Sequence, residues 1–420
     1  MRLETLEILR CPYCGGRLEL VTSLFHHRTD DEIRDGILGC HCCVFPVVDG
    51  IPVLHLQPNA TQARDEMQAG EPTRARRTMF GLDRPEDAER FDAIAESSTA
   101  TYRDTVEALG PNFEGGYFLY RFSDPTFIVA QAVVRAVGGT VLKGTRRAID
   151  ICGGSGHLTR SLLDLSSPPP VLADLYFAKI WLARRFTAPG CEPVCCDGNA
   201  PFPFAPRTFA LAMCTDAFMY IWTKRQFVGE MERLVDWRGG DAGGAVLIGH
   251  THNELTWSPS HGQPLSPQGY RDLFEALPPH VFGESALFRD VVGGGPLDLS
   301  RRPSEEELNA DPALTIVATN HAGVFAPHPV EPVGERARAG EFRVNPLYVA
   351  EPAGGAQVRL RLRFPSEDYE QEYGACREYL PDEVIVGDDM LAALPAAAVS
   401  GPLADLASRR IVLDLPRKYY

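Results

Sequence analysis

Five cysteines, a glycine-dense turn and a row of carboxylates are the residues whose types and spacing could do chemistry in this chain. Cys11 and Cys14 form one C-x-x-C pair, and Cys40 and Cys43 form a second. Four thiolates in two such pairs close a tetrahedral Zn2+ site and leave no open coordination position, so the metal expected here is structural. Cys42 is a spare that could replace Cys43. A redox role is the weaker reading, because two pairs are present and no βαβ pattern surrounds them. Further along, residues 146–159 run from an apolar stretch carrying Asp150 through Cys152-Gly153-Gly154-Ser155-Gly156 to Leu158, Leu162 and Leu163 at helical spacing. That order is strand, tight turn, helix. Glycine lets the backbone approach a ligand, and the free N–H groups at the helix start favour an anionic group.

Dinucleotide enzymes place G-x-G-x-x-G in such a turn, and that spacing fails here, with His157 where the pattern needs another residue type. A G-x-x-x-x-G-K-[ST] phosphate loop is also missing from this stretch. The order acid, x, x, Gly, Gly, x, Gly instead resembles the first motif of class I S-adenosylmethionine-dependent methyltransferases. The family's usual glycine two positions after the acid is Cys152 in this chain. The resemblance implies that the turn packs under the methionine part of S-adenosylmethionine. Cofactor contacts are then expected from Asp150, Cys152, Gly153, Gly154, Ser155 and Gly156. Asp174 ends the second predicted strand with Leu175 after it, and an acid there can accept both ribose hydroxyls. Asp197 and Gly198 end the third, where the family binds the adenine amino group, and Thr215 ends the fourth.

Residues 38–54 carry the stretch Phe45-Pro46-Val47-Val48-Asp49-Gly50-Ile51-Pro52-Val53-Leu54 behind the second cysteine pair. This segment resembles the small zinc-ribbon proteins that partner and activate tRNA and translation-factor methyltransferases. The resemblance covers residues 1–56 and implies a built-in module that lends apolar surface to the domain behind it. Two separate resemblances therefore converge on methyl transfer.

The elements that must position these residues follow from periodicity. Apolar strands are expected at 148–152, 170–175, 193–197, 209–216 and 245–249, alternating with helices such as 177–186 and 226–237. Alternation of this kind implies an α/β fold, a Rossmann-like, mostly parallel sheet with helices on both faces. Ligands of such sheets sit at the carboxyl ends of the strands. Strands at 281–283 and 314–319 would complete it as antiparallel partners, and Ser266-Pro267 marks a helix start. We divide the chain into a zinc ribbon (1–56), a linker and helical lid (57–140), a class I methyltransferase domain (141–320) and a C-terminal α+β extension (321–420). In the second part, Pro58, Pro72 and Pro85 read as punctuation, with one surface helix at 86–97 and an aromatic run at 117–122 that could cover the cofactor. In the fourth, 357–364 alternates Val358, Leu360, Leu362 and Phe364 against Arg359, Arg361 and Arg363, a half-buried strand with a solvated arginine face.

The chain of 420 residues has a formal net charge of −15, which argues against a broad grip on nucleic acid. It holds no apolar run of membrane-spanning length and no signal-peptide pattern at its start, so a cytoplasmic protein without a membrane partner is expected. Eleven cysteines in that setting read as reduced thiols or metal ligands. If the acceptor is a hydroxyl, a general base helps. His250 and His252 after the fifth strand and Asp216 after the fourth are the candidates, with His157 on the turn behind them. Thr215-Asp216-Ala217-Phe218 stands where an [ND]-P-P-[YFW] motif would hold planar amide or adenine nitrogens, which disfavours that kind of amino-methylation. No Pro-Cys pair suits attack on a pyrimidine, and no G-x-S-x-G is present for serine hydrolysis. The expected activity is methyl transfer from S-adenosylmethionine to a small-molecule acceptor, best an O-methyl acceptor of secondary metabolism. A tRNA or protein methyltransferase and a non-catalytic scaffold with the same fold are the alternatives. Oligomeric state cannot be read from the sequence.

Overall fold

The computed structural model describes residues 1–110, 116–144, 146–238, 243–258, 262–330, 340–394 and 401–420. Its centre is a seven-stranded sheet of β1 (Ala148–Ile151), β2 (Val171–Asp174), β3 (Glu192–Cys195), β4 (Leu211–Thr215), β5 (Ala245–His252), β6 (Pro279–Gly283) and β7 (Ala313–Thr319), in the spatial order 3-2-1-4-5-7-6. Strands β3, β2, β1, β4 and β5 pair in parallel, and β7 runs antiparallel to both β5 and β6. The expected α/β class is therefore what the chain adopts. Strand order reverses between β1 and β4, which opens a crevice at their carboxyl ends.

Alternating side chains divide the sheet between two cores. Ala148, Leu172, Leu211, Met213 and Leu247 pack on one face against helix Pro125–Val141 and the helices before it. Ile149, Ile151, Val171, Ala212 and Val246 pack on the other face against helix Lys224–Leu234 and the N-terminal unit. The strands are apolar on both sides because both sides are covered.

The N-terminal unit is a small sheet that includes Ile33–Gly39, Val44–Val48 and Ile51–Pro52. It continues the central sheet past its edge: Val53 bridges Cys195 in parallel, and the Leu54 N–H donates to the Cys195 carbonyl at 2.7 Å. Its Leu9, Phe45, Val47 and Leu54 side chains sit in the same core as β1, β2 and β3.

Residues 57–109 hold the surface helix expected at 86–97 and three more helices beside it. The four are Pro58–Gln68, Pro72–Phe80, Pro85–Glu96 and Tyr102–Leu109. The three prolines stand in the first turns of the first three helices, where a missing N–H costs nothing. They start helices instead of interrupting a linker. The buried faces are built largely from small residues, Ala60, Ala63, Ala75 and Ala88, so the hydrophobic contrast along the sequence is weak.

The C-terminal residues fold around a core of their own that includes Phe342, Leu360, Tyr369, Cys376, Leu406 and Val412. A three-stranded antiparallel sheet there uses Tyr348–Gly354, Gln357–Leu362 and Glu383–Gly387. The last strand, Val412–Pro416, pairs with Gly340–Val344 and delivers Tyr419 to the main core. Among the described residues, no helix is long and apolar enough to cross a membrane.

Candidate functional site

The carboxyl ends of β1 to β4 open into a cavity of about 1200 Å³. The cofactor candidates Asp150, Cys152, Gly153, Gly154, Asp174, Leu175, Asp197, Gly198 and Thr215 line it, and so does Asp216. Ser155 and Gly156 do not. Ser155 is fully buried, and its carbonyl accepts from the Thr187 hydroxyl. Gly156 packs so closely that a Cβ there would lie 2.8 Å from the Ala183 Cβ.

The turn after β1 is fixed by its neighbours. Cys152 donates its N–H to the Ala173 carbonyl at 2.7 Å, which ties the turn to β2. Its φ of +59° is in the region that favours glycine, so the thiol stands where the backbone would prefer no side chain. A Cβ on Gly153 would come within 2.6 Å of the Asp150 carboxylate and 2.4 Å of Leu172. Asp150 is 1% exposed and accepts from the Thr159 hydroxyl at 2.6 Å. Burial pushes its carboxyl up to about 7, the Asp174 charge adding to this and the Thr159 bond opposing it.

Asp174 spans the turn and its own helix. One carboxylate oxygen accepts from the Gly154 N–H at 2.9 Å and the other from the Tyr176 N–H at 2.8 Å. Each oxygen keeps a lone pair. Burial raises the Asp174 carboxyl, while these N–H groups and the nearby Lys179 ammonium restrain the shift. Asp197 accepts from the Asn199 N–H at 2.8 Å through one oxygen, and Asn199 in turn accepts from the Trp222 N–H at 2.8 Å. Thr215 lines the cavity and is 8% exposed, and its buried hydroxyl has no hydrogen-bond partner among the described residues. A buried hydroxyl without a bond marks a place where a polar group of a ligand would be favoured.

Asp216 continues past β4 with a φ of +57° and pairs with Arg121 at 2.9 Å. Arg121 comes from the aromatic segment Tyr117–Ser123, is itself buried, and also pairs with Asp124 at 3.1 Å. Left-handed backbone at Cys152 and Asp216 places strain just past two strand ends around one opening, a pattern common at functional sites.

The two imidazoles named as bases lie elsewhere. Neither His250 nor His252 is among the residues that line the cavity. The His250 Nδ1 is 2.6 Å from Glu284, whose other oxygen accepts the His250 backbone N–H at 2.8 Å. Burial alone would lower the His250 pKa, but the Glu284 carboxylate prevails and raises it to about 9, so the ring is a cation at neutral pH. His252 is 2.8 Å from the Ser258 hydroxyl, and burial lowers its pKa. His157 does line the cavity, with its Nε2 2.7 Å from the Tyr419 hydroxyl, and burial pushes it down to about 3. It is a neutral post between the turn and the tail.

The cysteine cluster also departs from the expected set. The four sulfurs within 4.8 Å of one another belong to Cys11, Cys14, Cys40 and Cys42, a group that could hold a metal ion. Cys43 packs beside the core on the sheet face covered by the N-terminal unit. Cys43 stays next to this group, its Sγ 3.3 Å from the Cys42 Sγ, and is the sulfur left out of the four.

Sequence reasoning missed Arg121, Lys179, Asn199 and the C-terminal residues Ser366, Asp368, Tyr369, Glu372 and Tyr373, all of which line the cavity. An arginine inside the aromatic run 117–122 was a usable signal, since a guanidinium among rings needs an acidic partner.

No family model matches the chain, and no curated protein matches it. Solved structures do. A phosphoethanolamine N-methyltransferase of Haemonchus contortus in complex with S-adenosyl-L-methionine aligns over 53% of this chain and 60% of its own, at 15% identity and a TM-score of 0.38. A complex of a methyltransferase activator with a candidate methyltransferase from Haloferax volcanii aligns over 52% and 98%, at 15% identity and 0.33. An S-adenosylmethionine-dependent methyltransferase of Thermotoga maritima aligns over 50% and 94%, at 13% identity and 0.32. These likenesses carry no residue assignment, and the fold class rests on the sheet order itself.

Proposed function

We propose that this chain transfers a methyl group from S-adenosylmethionine to a small-molecule acceptor. The observation that carries the reading is the convergence of a glycine turn, three strand-end acids and Thr215, whose hydroxyl is unpartnered among the described residues, on one cavity at the crossover of the sheet. Asp174 would hold the ribose hydroxyls through its remaining lone pairs, Asp197 the adenine amino group through its second oxygen, and the turn at Gly153 and Gly154 the amino-acid end. The bound cofactor supplies an activated methyl on a sulfonium. The protein's own part is then mostly alignment of an acceptor. With His250 tied up as a cation and His252 off the cavity, an acceptor hydroxyl would find Asp216 as the one proposed base on the lining, and that acid is engaged by Arg121. The O-methyl expectation is the weaker part of this reading.

We also propose that Cys11, Cys14, Cys40 and Cys42 hold a structural Zn2+ in a ribbon of residues 1–56, akin to the activator family and fused to the domain it would support. Its apolar contribution to the core of β1, β2 and β3 supports this reading.

Calorimetry with S-adenosylhomocysteine tests the cofactor reading. Binding in the micromolar range is expected from the wild type. Asp174→Ala should weaken it by roughly tenfold or more, since a bidentate carboxylate contact and the Gly154 tie are both lost. No binding by the wild type, or equal binding by the variant, overturns the assignment.

A further inference from the structure

The helix Glu367–Tyr373 forms part of the cavity wall although it lies far along the chain from every cofactor candidate. Tyr369 and Tyr373 are buried there, 4.7 Å apart between ring centroids, and Tyr369 meets Tyr120 of the aromatic segment at 5.6 Å. Tyr373 is near enough to the Arg121–Asp216 pair to feel both charges. The Tyr369 residue is 6% exposed, yet among the described residues its hydroxyl has no hydrogen-bond partner. Asp368 and Glu372 line the same wall, and among the described residues neither has an ion-pair partner. The cations of the cavity are already spent. Arg121 is held between Asp124 and Asp216, and Lys179 offsets Asp174 while its ammonium lies 4.6 Å from the Tyr176 ring centroid. What remains on the acceptor side is a wall of tyrosine rings with unbalanced carboxylates.

Ring faces attract cations, and a negative cleft concentrates them. We infer that the segment Ser366–Tyr373 completes an acceptor pocket for an alkylamine, held as its ammonium ion on the outer side of the packed Tyr369–Tyr373 ring pair by the Asp368 and Glu372 carboxylates. The inference rests on the methyl-transfer reading and narrows it to nitrogen. The ammonium gives up one proton to water by way of a wall carboxylate. The freed nitrogen lone pair forms the new N–CH3 bond while the S–CH3 bond breaks, and that electron pair stays on sulfur. The positive charge passes from the sulfonium to the methylated nitrogen, and the cofactor leaves as a neutral thioether. A tetrahedral alkylamine also fits the missing [ND]-P-P-[YFW] motif, which serves planar nitrogens.

The test is competition between amines and alcohols of matched shape on full-length protein saturated with S-adenosylhomocysteine, read by calorimetry. The pairs are butylamine and butanol, phenethylamine and 2-phenylethanol, and tryptamine and tryptophol. At least one amine should bind about tenfold or more tightly than its alcohol, and the double variant D368N/E372Q should reduce that preference to within about threefold without changing S-adenosylhomocysteine affinity. If S-adenosylhomocysteine itself does not bind, the methyl-transfer reading fails. If it binds and no amine outcompetes its alcohol at any size, the amine pocket is wrong. A preference that survives in D368N/E372Q removes the C-terminal wall from the account.

Discussion

The two ends of the chain both attach to the central sheet, and they do so by different physics. The N-terminal unit joins through backbone and shared core. Val53 and Leu54 extend the β3 edge, the Arg10 N–H donates to the Pro203 carbonyl at 2.9 Å, and Leu9 and Phe45 are fully buried among sheet residues. The C-terminal unit keeps its own core and reaches the sheet through a strand, a tail and the cavity wall. One end buttresses a sheet edge that would otherwise be open. The other roofs the cavity. A change in the first should therefore appear as lost stability, and a change in the second as lost binding.

The sharpest way to break this comparison is at the metal cluster. Cys11→Ser removes one of four convergent thiols, and Cys11 is itself 1% exposed. If the cluster holds zinc, its loss takes the folding energy of the unit and the shared core with it, more than about 5 kcal/mol. Thermal melting and metal content by elemental analysis check this. A variant with unchanged zinc and an unchanged melting point would reduce the N-terminal unit to added bulk.

The tail gives the matching experiment at the other end. Tyr419 stacks on Tyr102 at 4.7 Å with planes 6° apart, and its hydroxyl donates to the Phe118 carbonyl at 2.6 Å and meets His157 at 2.7 Å. Tyr419→Ala should cost about 3–5 kcal/mol and also weaken S-adenosylhomocysteine binding, because His157 and Phe118 both line the cavity. Tyr419→Phe keeps the ring and loses the hydroxyl, so about 1–2 kcal/mol is expected. Urea denaturation and calorimetry together separate the two effects. A pure stability loss would make the tail another buttress and erase the contrast.

What the sequence disclosed follows the same division. The strands of the central sheet were legible because apolar runs with acids at their ends have few other readings, and the turn at 152–156 was legible because clustered glycine leaves little choice of conformation. The cysteine pairs were legible as a cluster, but Cys42 against Cys43 depends on the path of the backbone between Cys40 and Val44. Of the four helices of 58–109, the one expected at 86–97 was legible, and the other three were hidden by alanine-rich faces and by prolines that also fit a linker. His250 and His252 were expected in a loop after the fifth strand, whereas β5 runs on through both, and the charge of His250 depends on Glu284, which the fold brings from helix Glu284–Val292. The cavity wall at 366–373 was invisible because its partners, Tyr120, Arg121 and Asp216, lie 150 or more residues earlier in the chain. Local pattern predicts elements, while charge balance and cavity lining are set by tertiary contacts.

The contact of β5 with helix Glu284–Val292, outside the cavity lining, supplies a control. His250 is held protonated by Glu284, so its folded-state pKa of about 9 lies above the unfolded 6.5. A raised pKa of this kind contributes stability that is fully present below 6.5 and is lost as pH rises through about 9. The contribution at neutral pH and below is roughly 3 kcal/mol. His250→Gln should therefore destabilise strongly at pH 6 and little at pH 10, by denaturant unfolding across that range. A loss independent of pH would mean that packing, and not the ion pair, holds β5 against helix Glu284–Val292.

The smallest expected effect tests whether the C-terminal unit contributes beyond its wall. Arg359 pairs with Glu383 at 2.9 Å and Arg361 with Glu351 at 3.5 Å, on a strand face turned away from Leu360 and Leu362. Pairs between half-exposed or exposed side chains lose in entropy and screening most of what they gain in attraction. Arg361→Ala should shift stability by no more than about 0.5 kcal/mol and leave both S-adenosylhomocysteine and amine binding unchanged. A clear loss of ligand affinity from this position would extend the functional surface from the helix Glu367–Tyr373 across the three-stranded sheet, and the roof would then have to be read as a second binding face. If the substitution is silent while the wall acids are not, the chemistry of the C-terminal unit is confined to one helix, and the sheet behind it serves to hold that helix over the cavity.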